Sequence, residues 1–286
     1  MLQDIYPHKL KNSYIPDKKA SDDSLVIHFD NEGKILTKEE GKPFPRLSEF
    51  GERPSLLTYL FSMDEDDVFL AEDDSVQAPS DTVYMRVREF RKKPGIPKKS
   101  IFEAFTAKQL STWYLNNKYC GRCGELTSRS TIERAIVCGK CGNTIYPRVV
   151  PAVIVGLIKR GGTRSDDRIL LTKYQGRSDV PYYALIAGFT EIGETFEETV
   201  AREAMEETGL KVKNIRYYKS QPWGVVDDIL AGFFCELDGD ETITRDESEL
   251  AVAEWTRRED VVLQPDDLSL TNEMMTLFKE GREPVN

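Results

Sequence analysis

Apolar positions along the chain change their spacing twice, and each change marks a different kind of structure. In the first hundred residues, short apolar runs such as Ser24-Leu-Val-Ile-His-Phe29 and Val83-Tyr-Met-Arg-Val-Arg88 alternate with acidic turns (Asp64-Glu-Asp-Asp67, Glu72-Asp-Asp74) and prolines. That punctuation predicts a small β-rich domain. Arg91-Lys-Lys-Pro-Gly-Ile-Pro-Lys-Lys99 combines charge with breakers and reads as a linker. The basic cluster from Arg86 to Lys99 reads as a solvated strand edge rather than a phosphate contact. Thr106 and Gln109 then form a capping-box pattern. Leu110, Trp113 and Tyr114 follow at helical spacing, so a helix is expected from there into Cys120.

From Pro151 the period changes. Ala152–Ile158 and Arg168–Lys173 read as adjacent strands joined by the polar turn 160–167, and Tyr183–Ala187 as another strand. A helix opens at Thr195, whose partner in a capping box is Glu198, and stops at Gly209, where a left-handed cap belongs. Phe196, Val200 and Ala204 recur every four residues and are expected to face a core. Strands follow near 212–220, 229–237 and 250–256, with a final helix over about 271–280. Strands on both sides of one helix, and a second helix at the end, predict an α/β/α sandwich with a mixed sheet. The expected fold class is therefore mixed α+β, divided as 1–99 (β-rich), 100–148 (helix and ribbon) and 149–286 (sandwich).

Length agrees with that division: 286 residues at about 150 per domain suggests two domains, with one or three open. Lys+Arg 39 against Asp+Glu 49 leaves −10, which argues against duplex DNA as a partner, since such affinity rests on phosphate neutralisation. An acidic excess fits instead a protein that recruits divalent metal to handle anions. The longest apolar run, Val149 to Ile158, contains Pro151 and is too short to span a bilayer, so no membrane partner is expected. Met-Leu-Gln-Asp carries no basic n-region before an apolar stretch, so the expectation is a cytoplasmic protein without a signal peptide. His8 and His28 are the only histidines and lie far from every motif, leaving carboxylates, metal, lysine and arginine to carry any catalysis.

Two clusters carry the chemistry. Cys120 and Cys123, then Cys138 and Cys141, each sit in Cys-Gly-basic-Cys-Gly with fourteen residues between the pairs. Four thiolates so spaced form the closed set of a structural zinc ribbon, with no position open for catalysis. Disulfides conflict with the absence of a secretion signal. A ribbon can also bind nucleic acid, but the net charge and the scarcity of basic–aromatic combinations point to a spacer between domains. The fifth cysteine, Cys235, reads as a small core residue. In the helix after Thr195, Glu203, Glu206 and Glu207 stand at i, i+3 and i+4 and project from one side, with Arg202 placed to relieve their repulsion.

Gly188, Glu194, Arg202, Glu203, Glu206, Glu207 and Gly209 fill every fixed position of the Nudix signature, and the chain resembles the Nudix hydrolases. The resemblance implies a magnesium- or manganese-dependent hydrolase of nucleoside diphosphate derivatives, with Glu203, Glu206 and Glu207 catalytic. It makes Glu203 and Glu207 metal ligands, Glu206 a ligand or water-positioning base, and Glu194 and Arg202 supports of the loop and helix. Glu249, in Glu249-Leu-Ala-Val-Ala-Glu-Trp255, is the candidate further ligand.

The order β-rich domain, four-cysteine ribbon, Nudix domain resembles the NADH pyrophosphatases (NAD diphosphatases), over nearly the whole chain and most strongly from Tyr119 to Trp255. Tyr146-Pro-Arg-Val-Val-Pro151 and Ser220-Gln-Pro-Trp223 match that subgroup. The resemblance implies Tyr146 and Phe189 sandwiching a base, Gln221 and Trp223 as further substrate contacts, a dinucleotide substrate, NAD-capped RNA as a second one, and a homodimer. One departure stands out. The subgroup continues with Pro-Phe-Pro-x-Ser, whereas this chain has Gly224-Val-Val-Asp-Asp228. The alternatives are NAD(H) cleavage, a Nudix preference for ADP-ribose or a nucleotide sugar, and a zinc-ribbon regulator that senses a nucleotide. The complete glutamate set disfavours the last. Asp227 and Asp228 either repel a substrate phosphate or face solvent.

Overall fold

The computed structural model describes residues 1–38, 42–73, 76–176 and 182–284. It divides into two compact units, one of Gln3–Arg148 with Gly224–Asp227, the other of Met1–Leu2, Val149–Trp223 and Asp228–Asn286. The residues expected to form a β-rich domain and a separate ribbon thus lie in one unit.

In the first unit, strands β1 (Leu10–Lys11), β2 (Leu25–His28), β3 (Ile35–Lys38), β4 (Leu57–Met63), β5 (Asp66–Ala71) and β6 (Thr82–Met85) form two sheets. One has the order β1-β4-β5-β2 with a parallel β2–β5 edge pair, and the other pairs β3 with β6. Every residue of β2 is buried, so its continuous apolar run reports a strand covered on both faces. The segment expected to be a linker, 91–99, keeps a non-helical middle at 93–97 and is helical at both ends. Helix α1 (Val87–Lys92) runs into it and helix α2 (Lys98–Asn116) starts from Pro97. The Thr106 cap is therefore overturned: its hydroxyl donates to the Phe102 carbonyl at 2.8 Å, as an interior helical residue does. Burial of Ile101, Phe102, Ala104 and Phe105 extends the helix two turns upstream, overriding a local signal worth about 1 kcal/mol. After α2 come three short antiparallel strands, β7 (Ser128–Arg129), β8 (Ile136–Val137) and β9 (Thr144–Ile145).

The second unit is built on β10 (Val150–Lys159), β11 (Arg168–Tyr174), β12 (Ile186–Phe189), helix α3 (Phe196–Thr208), β13 (Val212–Trp223), β14 (Asp228–Leu237), β15 (Leu250–Arg257) and helix α4 (Leu270–Lys279). Its six-stranded sheet runs β13-β14-β10-β11-β15, with β12 also paired to β10. The β10–β14 pair is parallel and the other pairings are antiparallel, the expected mixed sheet. Alternation along β10 assigns its two faces. Val153, Val155 and Leu157 join Val200 and Ala204 of α3, while Ile154 and Ile158 join Met274, Met275 and Phe278 of α4. Cys235 is fully buried in the α3 layer, as expected of a core thiol.

The expected strand at 183–187 is displaced. Ala184 forms an isolated bridge to Thr172, and β12 proper begins at Ile186, where the chain passes to β10. That shift carries Gly188 and Phe189 into the strand, opposite Val153 and Ala152. Segment 177–181, between β11 and this bridge, lies outside the described residues.

Candidate functional site

Helix α3 begins as its sequence demands. The Thr195 hydroxyl accepts from the Glu198 N–H at 3.2 Å, and the Glu198 carboxylate accepts from the Thr195 N–H at 2.8 Å. It ends at Gly209 with φ 71°, whose N–H donates to the Met205 carbonyl. Val200 and Ala204 are completely buried, but Phe196 is 37% exposed, so it borders the core rather than filling it.

The three glutamates do not share one environment. Glu203 and Glu207 are buried, while the Glu206 side chain is 59% exposed. Arg202 organises the group. Its guanidinium donates to Glu194 (2.6 and 2.9 Å), Glu203 (2.7 Å), Glu206 (2.9 Å) and the Phe189 carbonyl (2.8 Å). One cation thus ties the helix to the end of β12 and to the loop carrying Glu194. Glu194 also accepts from the Glu191 N–H and the Thr199 hydroxyl, and these contacts, Arg202 first, hold its carboxyl down at about 2.

Gly188 explains its own place in the pattern. A Cβ there would stand 1.8 Å from the Glu203 carboxyl carbon, so only a glycine lets that carboxylate lie on the β12 backbone. Burial pushes the Glu203 carboxyl up against the opposing pull of Arg202. Glu207 is pushed further, to about 8, by burial first and then by the charges of Glu203 and Glu249. Its Oε2 is buried without a hydrogen-bond partner. Glu249 lies in the exposed turn just before β15, near enough for its charge to act on both Glu203 and Glu207. The sequence reading missed what fixes that turn. The Asp246 N–H donates to the Glu207 carbonyl at 2.9 Å, joining the Glu249 turn to the end of α3. No spacing rule would have revealed this long-range backbone bond.

An orphaned buried carboxylate oxygen, raised by neighbouring negative charge, is an arrangement that a hard divalent cation relieves. The buried Glu203–Glu207 pair, with the charge of Glu249 acting on it, therefore fits such an ion, whereas Glu206 stays exposed and paired with Arg202.

Among the other expected contacts, Phe189 is 54% exposed in the second unit, and Tyr146, in the first, is 58% exposed with its hydroxyl donating to Glu133. Gln221 is a correction. It is completely buried, its amide donating to the Leu268 carbonyl (2.8 Å) and accepting from the Leu270 N–H (2.7 Å). It braces the start of α4 instead of meeting substrate. Trp223 ends β13, half-buried. Neither acid after it faces solvent as one reading had it. Asp228 is buried, and Asp227 is half-buried in a left-handed conformation (φ 65°). A Cβ on Gly224 would lie 2.4 Å from the Phe105 carbonyl, so the departure from proline at this position fits a close approach to α2.

The four cysteines form a second centre. All four ligand sulfurs lie within 4.8 Å of one another, with Cys120–Cys141 at 3.7 Å and Cys123–Cys138 at 3.5 Å. A tetrahedron of Zn–S bonds of about 2.3 Å has edges near 3.8 Å, so the spacing suits zinc. Two matched loops place the sulfurs. Gly124 (φ 75°) donates to the Cys120 carbonyl and Gly142 (φ 69°) to the Cys138 carbonyl, closing equivalent left-handed turns. Backbone N–H groups of Arg122 and Cys123 lower the Cys120 thiol to about 6, favouring the thiolate that binds metal.

Residues 150–277 match the NUDIX domain and residues 115–146 the NADH pyrophosphatase zinc ribbon domain. The carboxylate helix therefore lies in the stretch that matches the NUDIX domain, and the thiolate cluster in the stretch that matches the zinc ribbon. Among curated relatives, the NAD-capped RNA hydrolase NudC of Escherichia coli O1:K1 / APEC is 42% identical over 158 residues, 55% of this chain and 58% of the relative. Its counterpart from E. coli strain SMS-3-5 / SECEC gives the same figures. The chain thus matches a little over half the length of these relatives. A NUDIX hydrolase crystal structure from Nitrosomonas europaea is 21% identical, covering 57% of this chain and 91% of its own, at a TM-score of 0.44.

Three outcomes follow from this geometry. Gly188→Ala should dislodge the Glu203 carboxylate and weaken divalent-metal binding by about 10- to 100-fold, measured by calorimetric titration; unchanged affinity would show that the close approach is dispensable. Glu207 contributes a pH dependence of known sign. Its carboxyl sits at about 8 in the folded chain against 4.5 ordinarily, so folding takes up a proton between those values. This contribution is complete below pH 4.5 and is lost as pH rises through about 8. In metal-free protein, urea midpoints should show Glu207→Gln gaining on wild type across that window, and a constant difference would contradict the shift. Cys138→Ser should lower zinc content and thermal stability together, because structural metal couples binding to folding. Native wild-type protein with no zinc and four freely titrating thiols would refute the ribbon.

Proposed function

We propose that the chain hydrolyses the pyrophosphate bond of NAD(H), releasing nicotinamide mononucleotide and AMP, and that it also removes NAD caps from RNA. The observation that carries this reading is the pairing, in one chain, of the Glu203–Glu207 carboxylate site with a ribbon of the NADH pyrophosphatase kind. The name of these relatives, NAD-capped RNA hydrolase, supports the second substrate.

Glu203, Glu207 and Glu249 would hold magnesium or manganese, hard ions suited to oxygen ligands. When bound, such an ion neutralises pyrophosphate charge and acidifies the attacking water. The chain's own residues do the rest. Arg202 holds Glu203 and Glu206 in fixed positions, leaving the exposed Glu206 carboxylate available to orient water. The exposed ring of Phe189 offers a face for a base, and Trp223 a further contact. We place this activity in the cytoplasm, where the unbridged cysteines match a reducing environment, and assign the homodimer as its working form.

A second reading has a specific observation behind it. The segment Gly224–Asp228 departs in sequence from the subgroup's prolines, with Gly224 against Phe105 and Asp228 buried. That difference favours a shifted substrate preference, toward ADP-ribose or a nucleotide sugar.

The two readings separate in one experiment. Purified protein is given NADH, NAD, NAD-capped RNA, ADP-ribose and nucleotide sugars with magnesium or manganese, and the products are resolved by chromatography. NADH or NAD should yield AMP, and Glu207→Gln should lower turnover by about 10²-fold or more while leaving the fold intact. No cleavage of either dinucleotide alongside cleavage of ADP-ribose would transfer the assignment to the second reading. Full turnover by Glu207→Gln would remove this helix from the chemistry.

A further inference from the structure

Outside the carboxylate site, the first unit contains a cavity of about 590 Å³ between α2 and the β2–β3 and β5 segments. Lys118, just past the end of α2, and the helical residues Lys108, Ser111, Thr112 and Leu115 form its wall on that side. These recur at three and four residues, so one helical face lines the space. That face is unusual for the inside of a cavity, because it presents donors rather than apolar groups. Among the described residues, the side chains of Lys108, Ser111, Thr112 and Lys118 make no hydrogen bond or ion pair with the protein. The Lys108 ammonium is half-buried, packed toward Gly33 and 5.0 Å above the Phe29 ring. Burial lowers its pKa, the mark of a cation that has lost water without gaining a bonded carboxylate.

The facing wall carries acids, yet each already has partners. Asp30 accepts from the Glu32 and Lys34 N–H groups at 2.9 and 2.8 Å, and Glu32 pairs with Lys34. Glu72 is bonded to Thr58 and Arg129, and Asp73 to Ser55 and the Leu56 N–H. The groups without a hydrogen-bond partner are therefore a half-buried cation and two hydroxyls within about one helical turn, a constellation that suits a phosphate. The volume greatly exceeds a phosphate ion. Phe29, Tyr84 and Leu115 add aromatic and apolar surface for a flat ring.

We propose that this cavity binds a nucleoside monophosphate, its phosphate on Lys108, Ser111 and Thr112 and its base against Phe29, Tyr84 and Leu115. The site stands on unit-internal geometry and does not depend on the hydrolysis proposed above. Only one consequence rests on that reading: the ligand class is also its product class, so an occupied cavity would register accumulating product.

Calorimetric titration of the full chain with AMP tests the proposal, with adenosine and inorganic phosphate as partial probes. AMP should bind more tightly than either part. Lys108→Met should weaken AMP by about tenfold or more, and Lys108→Arg should retain most of the affinity. The difference between wild type and Lys108→Met separates this cavity from AMP held at the carboxylate site. Hydrogen exchange on wild type gives a second readout that no variant's folding can confuse: AMP should slow exchange across residues 108–115. An isotherm indifferent to Lys108, phosphate as tight as AMP, or unaltered exchange in α2 would each overturn it. Loss of NADH cleavage with AMP binding intact would instead count against the hydrolysis reading alone.

Discussion

The carboxylate of Glu203 rests on the backbone of β12, in the space a side chain at Gly188 would occupy. The rest of the site depends on that approach. It brings α3 against the sheet closely enough for Arg202 to reach the Phe189 carbonyl while still bonding Glu194, Glu203 and Glu206. It also buries Glu207 beside Glu203, where two carboxylates with one counter-charge between them cannot both ionise cheaply. The α3 layer of the core holds the strain in place: Val200 and Ala204 are completely buried against Val153 and Val155. Apolar packing, worth about 25 cal/mol per Å² of buried apolar surface, thus offsets the electrostatic cost of the acidic face.

Much of this was legible in the residues. The Thr195 cap, the left-handed Gly209, the mixed sheet and the two cysteine loops all follow from local chemistry that acts over a few positions. Three features were not legible, for one shared reason. Glu206 separates from Glu203 because the Glu203 carboxylate packs on Gly188 of β12, a contact across space, whereas Glu206 pairs within its own helix with Arg202. Gln221 turns inward because the Leu268 carbonyl and Leu270 N–H need a partner that only the folded chain brings near. Helix α2 begins at Lys98 because Ile101 and Phe105 find a core, which overrides the weaker capping signal at Thr106. Sequence patterns report neighbours along the chain well and neighbours across space poorly.

The thiolate cluster and the carboxylate cluster differ in what their chemistry would let them hold. Thiolates within 4.8 Å of one another close completely around a soft-tolerant ion and leave no room for a substrate. Carboxylates on α3 and before β15 are spread more widely, with Glu206 and Glu249 open to solvent, and can share an ion with a phosphate.

The central pair of the second sheet carries a consequence for the nascent chain. Strand β10 lies parallel to β14, and Val150 is partnered by Asp228, so the middle of the sheet cannot close until β14 has left the ribosome. Local hairpins cannot substitute, because parallel strands require a crossover between them. Nearly all of the first unit precedes β10 and can condense earlier in synthesis. For an interval, therefore, the apolar run Ala152–Ile158 emerges without its partner, and Pro151 together with Lys159 and Arg160 flank it as gatekeepers against edge-to-edge association.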